Sequence, residues 1–190
     1  MGLLEFLFGK PRSKENYQQN LPAPLVKSGK ALTRQASVLD LQVGGVVSYD
    51  GTDFIVRNRH AYESHGFEWF SFHLIDTISG RKLWLDAEDD DELEMGISQE
   101  IDLELSGSIP SRLSWQGQTY RLDEHGFAKV LMESEDSTPK YAQVEYWDFY
   151  SSDEESALGV EKWGGDLEVS LSQAIEPYEI TILALGPADA

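Results

Sequence analysis

The sequence predicts an all-β fold in which one β-meander occurs twice. Two hairpins of the same design indicate the duplication: the first turns at Asp50-Gly51 and the second at Gln116-Gly117, each between apolar-rich arms. A two-residue turn of type I′ needs positive φ at both central residues, and Asp-Gly is a strong signal for it. After Ser37 no stretch shows a convincing 3.6-residue period, so the repeated elements are predicted to be strands.

An aromatic segment follows each hairpin and supports the same duplication. It spans residues 67–72 in the first copy and 144–149 in the second. The copies are offset by 66 residues at their hairpin glycines and by 77 residues at Glu68 and Glu145, so the second copy carries a net insertion of 11 residues. The polar run at 133–140 is the predicted place of that insertion.

The remaining segments predict further strands around these. Phe67–Ile75 carries bulky side chains on both faces, which is typical of a central strand covered twice. A strand at Lys82–Leu85 follows, and Ile101–Leu105 and Leu167–Leu171 alternate apolar and polar residues as half-buried strands do. Tyr178–Leu185 is predicted as the last strand. The expected architecture is a barrel-like or two-sheet domain with pseudo-twofold symmetry.

The chain divides into five predicted parts. They are an N-terminal tip with a short helix at 1–12, a linker or extended arm at 13–36, a first repeat at 37–108, a second repeat at 109–185 and a tail at 186–190. The predicted core residues share bulk and a place on these strands: Trp69, Phe72, Trp84, Tyr120, Phe149 and Val160.

The N-terminal tip combines bulky apolar side chains with basic ones. Its apolar residues are Leu3, Leu4, Phe6, Leu7 and Phe8, and Lys10, Arg12 and Lys14 follow at once. This composition is typical of a segment that inserts reversibly into an anionic membrane surface. The alternative is a terminal helix docked on its own domain. Without a membrane-spanning apolar run or a secretory signal, we expect a cytoplasmic protein, peripheral at the inner face of the membrane.

The charge of the chain excludes one class of partner. The formal net charge is −19, and residues 1–35 contribute +4 of it, which leaves −23 on the rest. Phosphate repulsion therefore excludes nucleic acid as a partner. The chain has no cysteine, which removes disulfides and thiolate metal sites and fits a reducing compartment.

Motifs for chemistry are sparse. There is no nucleophile elbow or phosphate-binding glycine loop, and His60 and His65, which bracket a predicted loop, have no metal-ligand spacing. The acidic run from Glu88 to Glu92, with Asp89, Asp90 and Asp91 at its centre, is a candidate docking patch or a weak site for Ca²⁺, Mg²⁺ or a polyamine, with a solvated turn as the alternative. We therefore predict no cofactor and no specific metal site, and we favour a non-enzymatic module over an enzyme.

The aromatic segments hold the other candidate residues. Glu68 and Glu145 stand beside Trp69 and Tyr146 at matching positions, where an acid among rings could be partly buried and serve acid/base catalysis. The alternative is that both acids face solvent or form ion pairs. Exposure of Trp69 together with Trp147 would instead indicate a face that binds a ligand or a partner.

Several of these residues resemble a bacterial family. Tyr49-Asp50-Gly51, Glu68-Trp69, Trp84-Leu85 and the run at 158–163 look like the family named domain of unknown function 4178, and the resemblance extends over roughly 39–182. Its motifs identify a fold rather than a chemistry. The resemblance implies the company this family keeps, which is phage-shock-protein-A-like membrane-stress proteins, small membrane proteins and polyamine-type enzymes.

The resulting functional hypothesis is a non-enzymatic interaction module. It would be an accessory of a bacterial membrane-stress system with a phage-shock-protein-A-like protein as its partner. The alternatives are a domain that binds a small molecule or a cation, and an acid/base enzyme that uses Glu68 and Glu145.

Overall fold

A computed structural model describes residues 36–89, 92–153 and 155–187. Over these ranges the structure consists of eleven strands and two 3₁₀ helices of three residues each, Val38–Asp40 and Pro177–Glu179. The strands are β1 (Val46–Tyr49), β2 (Thr52–Ser64), β3 (Phe67–Ile75), β4 (Lys82–Asp89), β5 (Leu93–Glu100), β6 (Arg112–Trp115), β7 (Gln118–Ser134), β8 (Ser137–Ser151), β9 (Ala157–Trp163), β10 (Asp166–Ile175) and β11 (Ile180–Ala184). The predicted all-β class is confirmed.

Eight of the strands form a closed ring. β2 to β5 follow one another as an antiparallel meander, and β7 to β10 form a second one. The two meanders join at both ends, where β5 pairs with β10 and β2 pairs with β7. β1, β6 and β11 lie outside the ring, β6 as the hairpin partner of β7 and β1 between β2 and β11.

The duplication is confirmed at the level of backbone irregularities. Both predicted hairpin turns have left-handed central residues, with φ of 49° and 71° at Asp50-Gly51 and 48° and 86° at Gln116-Gly117. A β-bulge lies between Val56 and Asn58 in β2, and another lies between Leu122 and Glu124 in β7. The bulges are separated by the same 66 residues as the hairpins.

The insertion in the second copy lengthens one hairpin. β7 and β8 have 17 and 15 residues, whereas their counterparts β2 and β3 have 13 and 9. The β7–β8 ladder runs out to the pair Ser134 and Ser137. The inserted residues therefore extend a hairpin at the predicted place.

The bulge in β2 lets one strand serve two faces of the sheet. An extra residue in one strand reverses which side chains point to which face. Phe54 and Val56, before the bulge, belong to an apolar core outside the ring. His60 and Tyr62, after it, line the ring interior. The bulge in β7 does the same, since Tyr120 packs in an outer core.

Two apolar cores lie on the outer side of the ring. The first packs β2 to β5 under β1, β11 and the segment that begins at Val38, and includes Phe72, Leu74 and Leu85. The second packs β8 to β10 under β6 and the segment 101–109, and includes Phe149, Leu158 and Val160. A third, smaller cluster lies inside the ring, where Ala128, Val130 and Val144 pack with Tyr62 and Tyr146.

The predicted core is confirmed for four of its six members. Phe72, Tyr120, Phe149 and Val160 are buried, at 0%, 3%, 0% and 0% exposure. Trp69 and Trp84 are only half-buried, because both face the cavity described below.

Three predicted element boundaries are wrong. The segment Ile101–Leu105 is not a strand, and β5 ends just before it. Its apolar side chains pack against the second core, and of its residues Ile101 donates a backbone hydrogen bond to Val169 of β10 without continuing the ladder, so the alternation mainly reflects one-sided burial. The loop predicted between His60 and His65 is strand, since β2 continues to Ser64. The last strand begins at Ile180 because a 3₁₀ helix starting at Pro177 precedes it.

The N-terminal tip and almost all of the predicted linker lie outside the described residues. In the described ranges, no helix has the length and apolar character needed to cross a membrane.

Candidate functional site: a cavity inside the ring

The interior of the ring contains a cavity of about 90 Å³, lined from seven of the eight ring strands. A single water needs roughly 10–15 Å³ of such space, so this cavity has room for several waters or a small organic molecule. Its wall consists mainly of aromatic rings, carboxyl groups and hydroxyl groups, together with the aliphatic Val169.

Aromatic rings form a continuous part of the wall. Tyr62 stacks on Trp69 with 5.0 Å between ring centroids and an interplanar angle of 10°. Trp163 meets Tyr62 edge to face at 6.4 Å, and Tyr146 meets Trp69 in the same way at 5.9 Å. The equivalent strands β3 and β8 supply Trp69 and Tyr146, so the wall draws on both repeats.

A second aromatic group joins the wall from β2 and β4. The ring of His60 lies 5.1 Å from that of Trp84 and 5.9 Å from that of Trp163. Burial, with a smaller contribution from the neighbouring His73, lowers the pKa of His60 to about 4. His60 is therefore neutral near pH 7 and adds no positive charge to the cavity.

Asp86 is a buried carboxyl group with two hydroxyl donors. Ser71 donates to its Oδ1 at 2.5 Å and Ser98 donates to its Oδ2 at 3.0 Å. Burial raises the pKa of Asp86 to about 6, and the two hydroxyl groups oppose that rise because they stabilise the carboxylate.

Glu161 lies across the cavity on β9. The indole Nε1 of Trp163 donates to its Oε2 at 3.0 Å, and Tyr62 forms a further hydrogen bond with it. Burial of the carboxyl group, with a smaller contribution from the negative charge of Asp86, raises the pKa of Glu161 to about 7. This group therefore changes protonation near physiological pH.

Asp148 on β8 is the least compensated of these acids. Its side chain is 6% exposed, and among the described residues no hydrogen bond reaches its carboxyl group. Burial raises the pKa of Asp148 well above its usual value, and the charges of Glu124 and Glu161 raise it further. Glu88 on β4 is a further buried acid of the wall, also 6% exposed.

Tyr146 reaches its position because a glycine faces it. Its hydroxyl donates to Oε1 of Glu124 at 2.7 Å. A Cβ at Gly126, its partner across the β7–β8 ladder, would lie 2.7 Å from that hydroxyl oxygen. Only glycine at 126 leaves room for the ring.

The structure separates the predicted residues of the aromatic segments. Trp69 faces the cavity, whereas Trp147 is 9% exposed on the outer side and stacks on His125 at 4.8 Å. Glu68 is exposed on the face of β3 opposite to Trp69. Glu145 accepts a hydrogen bond from His125 Nε2 at 3.0 Å and lies 3.7 Å from Lys162 Nζ.

The predicted acidic run is likewise divided. Glu88 is buried in the cavity wall, Asp89, at the end of β4, is exposed, and Asp90 and Asp91 lie outside the described residues. Within the part of the chain that is described, no three histidine or acidic side chains are grouped so as to hold a metal ion.

Of the acids that converge on the cavity, Asp86, Asp148 and Glu161 were missed by sequence reasoning, whereas Glu88 belongs to the predicted acidic run. A signal for one pair exists in the strand registers, since Glu88 pairs with Trp69 across β3–β4 and Glu161 pairs with the equivalent Tyr146 across β8–β9. Extending the repeat beyond the aromatic segments would have aligned these two glutamates.

The comparisons with known proteins indicate relatives of this chain but give no chemistry for the cavity. An uncharacterised protein of Mycobacterium bovis is 27% identical over 156 residues, which cover 77% of this chain and 73% of the relative. An uncharacterised protein of Mycobacterium tuberculosis matches to the same extent. No solved structure matches the chain at a significant level. The family model described as domain of unknown function DUF4178 matches residues 42–177, from the approach to β1 into the last 3₁₀ helix, and the chain belongs to that family.

Proposed function

We propose that the protein is a small-molecule-binding domain whose binding site is the cavity inside the ring. The observation that supports this most strongly is the division of side chains between the two sides of the ring. Aliphatic residues fill the two cores outside it. The interior holds a smaller apolar cluster around Val130 and Val144 and, beside it, a cavity of about 90 Å³ walled mainly by rings and carboxyl groups. Binding sites are concave, largely aromatic or apolar, and carry a few convergent polar groups.

The free-energy cost of the buried carboxyl groups also favours a ligand-binding site. Burying a carboxyl group that lacks a partner costs free energy, and an apolar filling of the same space is commonly more stable. Asp148 is such a group. A ring built only for stability has no use for it, so the cavity is better explained by a ligand.

Acid/base catalysis is the second candidate function, and its candidate residues differ from those that the sequence suggested. Glu68 and Glu145 lie on the outer side of the ring, whereas Asp86 and Glu161 converge on the cavity with pKa values raised to about 6 and about 7. Values near the working pH suit general acids and bases. Binding remains the preferred function because the sequence holds no nucleophile or phosphate-binding motif.

Three of the five tryptophans line the cavity, so intrinsic fluorescence tests the binding proposal directly. We would titrate the full chain with propylammonium, propan-1-ol and propionate, three probes of equal length and different charge. Saturable quenching by at least one probe supports binding, and conversion of a bound probe to product would indicate an enzyme.

A variant that fills the cavity controls this experiment. Ser170→Leu places a larger side chain in the wall, and Ser114→Leu makes the same change on β6, outside the ring. Quenching should be lost in the first variant and retained in the second. Absence of saturable quenching by all three probes in the wild-type chain would overturn the proposal.

The wider role that we propose is that of an accessory in a bacterial membrane-stress system. The family resemblance and the apolar, basic composition of residues 1–14 support a cytoplasmic location with reversible membrane contact and a phage-shock-protein-A-like partner. A pull-down of the full chain from its native cell tests the partner, and recovery of no such protein would remove that part of the proposal.

A further inference from the structure

Among the described residues that line the cavity, acidic side chains have no basic counterpart. The wall contains three buried acids, Asp86, Glu88 and Asp148, and the half-buried Glu161. Among the described residues that line it there is no lysine or arginine, and His60 is neutral near pH 7. Carboxylates in such a place need either protons or a cation from solution.

Hydrogen bonds within the wall reduce this imbalance without removing it. Ser71 and Ser98 donate to Asp86, and Trp163 donates to Glu161, but these donors carry no charge. Asp148 accepts no hydrogen bond among the described residues, and the negative charges of nearby acids, Glu124 and Glu161 first, raise its pKa beyond the effect of burial. The carboxyl group of Asp148 is therefore the acceptor to which a bound ligand would donate a hydrogen bond.

The aromatic rings of the wall distinguish between kinds of cation. A hard metal ion takes six or more oxygen ligands or keeps its waters, and no metal-holding group is found within the described ranges. The faces of tryptophan and tyrosine instead attract organic ammonium groups at about 6 Å or less from the ring centroid. Three tryptophans, Trp69, Trp84 and Trp163, line this cavity.

Resting on the proposed binding function, we infer that the ligand is a small organic cation, an alkylammonium group held between the carboxyl groups of Asp148 and Glu161 and the tryptophan faces. Replacement of bound protons by this cation restores the charge balance of the wall. The carboxyl groups accept its N–H donors, and the rings contact its carbon atoms.

The size and surroundings of the cavity limit this cation further. The volume of about 90 Å³ is smaller than the cavity of ~150 Å³ that holds benzene in a protein core. The part of the ligand that the cavity encloses therefore has few non-hydrogen atoms. Glu100 and Glu168 also line the cavity and are exposed, which indicates that it opens to solvent beside them. Their negative charges attract a cation towards this opening.

The test compares molecules that differ in charge but little in shape. The full chain is titrated with propylammonium, propan-1-ol and propionate at pH 8 and matched ionic strength, with tryptophan fluorescence and calorimetry as readouts. We expect propylammonium to bind at least tenfold more tightly than propan-1-ol, and propionate to bind weakest. Uptake of the cation should release protons, which calorimetry in buffers of different ionisation enthalpy detects.

Two variants locate the effect, and a third serves as the control. Asp148→Asn and Glu161→Gln keep the shape of each side chain and remove its charge, so each should weaken propylammonium binding at least tenfold while propan-1-ol binding stays the same. Glu145→Gln removes a carboxylate from the outer side of the same strand as Asp148 and should change neither. Far-ultraviolet circular dichroism verifies that each variant is folded.

The outcomes separate the inference from the function on which it rests. If propan-1-ol or propionate binds as tightly as propylammonium, the cavity is a binding site but not one for cations, and the inference is overturned alone. If Glu145→Gln weakens binding as much as Glu161→Gln, the effect is one of overall charge, and the inference is again overturned. If none of the three probes binds, both proposals fail.

Discussion

Trp69 and Tyr146 occupy equivalent positions in the two repeats, and their rings meet edge to face inside the ring with 5.9 Å between centroids. Residues related by a pseudo-twofold axis touch only where the axis passes close to them. Their neighbours across the ladders, Glu88 and Glu161, are also equivalent and both line the cavity. The cavity therefore lies where the two repeats face each other.

The repeats differ at the next pair of positions. Ser71 in β3 corresponds to Asp148 in β8, and their ladder partners are Asp86 in β4 and Gly159 in β9. Across the β3–β4 ladder Ser71 donates a hydrogen bond to Asp86, whereas across the β8–β9 ladder Asp148 faces Gly159, which has no side-chain donor. The asymmetry gives the cavity one satisfied acid and one acid that lacks a donor.

Truncation of equivalent core residues should show how the ring distributes stability. Phe72 and Phe149 are both 0% exposed, so alanine at either position should lower the free energy of unfolding by about 3–5 kcal/mol. Trp69→Ala should cost less than either, because its ring is half-buried and already borders empty space. Urea denaturation followed by circular dichroism measures all three, and an equal loss for Trp69→Ala would show that its face on the cavity is filled.

A single methyl group at Gly126 should disturb the cavity wall. Gly126→Ala brings a Cβ to 2.7 Å from the Tyr146 hydroxyl oxygen, so the ring must move away from Glu124. We expect a loss of about 1–3 kcal/mol in the free energy of unfolding, as for other overpacked sites.

Gly165→Ala is the matched control for this change. No atom lies within 4 Å of a Cβ built at Gly165, and the residue is exposed. Its substitution should stay within about 0.5 kcal/mol of the wild-type value. Equal effects of the two substitutions, again by urea denaturation, would mean that the contact with Tyr146 carries no strain.

Local patterns in the sequence predict the strands well because turns and central strands have local causes. Asp50-Gly51 takes up the left-handed conformation that a tight hairpin needs. Phe67–Ile75 was identified as doubly covered, and one of its faces does lie in an outer core while the other lines the cavity. Both features depend on residues within a few positions of one another.

Closure of the ring and the cavity have no such local cause. The pairing of β2 with β7 joins residues such as Arg59 and Glu133, which are 74 apart in the chain. The bulge after Val56 reverses the faces of β2, and no residue type marks it, so the inward direction of His60 could not be inferred. With 34 acidic residues in the chain, Asp86 and Asp148 carry no signal of their own until the strands are paired.

The N-terminal tip should bind anionic membranes reversibly. Leu3, Leu4 and Phe6 supply apolar contact, and each nearby basic residue adds roughly 1 kcal/mol at an anionic surface. The rest of the chain, after residue 35, has a formal net charge of −23 and is repelled by the same surface. This repulsion decays over about 8 Å at physiological salt. The segment from Ser13 to Arg34 is long enough to exceed that distance.

Liposome co-sedimentation at low and high salt measures this contact. The full chain should sediment with anionic vesicles more than a chain that begins at Ser37, and high salt should reduce the difference. The double substitution Leu4→Asp and Phe6→Asp in the full chain should abolish it. Equal sedimentation of the full and shortened chains would favour a tip that docks on its own domain.

Glu161 should make the stability of the unliganded protein fall as pH rises. Its pKa is raised to about 7 in the folded state, mainly by burial, and the charges of Asp86 and Glu168 act in the same direction against the hydrogen bonds from Trp163 and Tyr62. The folded state then binds more protons than the unfolded state between about pH 4.5 and 7, so stability decreases with increasing pH across this window. Asp86, with a pKa raised to about 6, adds to the same trend.

Glu161→Gln isolates this contribution, because it removes the ionisable group and keeps the hydrogen-bonding shape. Below about pH 4.5 the variant and the wild type should be equally stable, since the carboxyl group is then protonated in both states. Above about pH 7 the variant should be more stable, by on the order of 3 kcal/mol. Glu104→Gln, at an exposed position outside the ring, should run parallel to the wild type throughout. Urea denaturation from pH 4 to pH 8 gives the three curves. If the Glu161→Gln curve also runs parallel to the wild type, the carboxyl group of Glu161 is as well solvated in the folded protein as in the unfolded chain, and its place on a dry cavity wall is wrong.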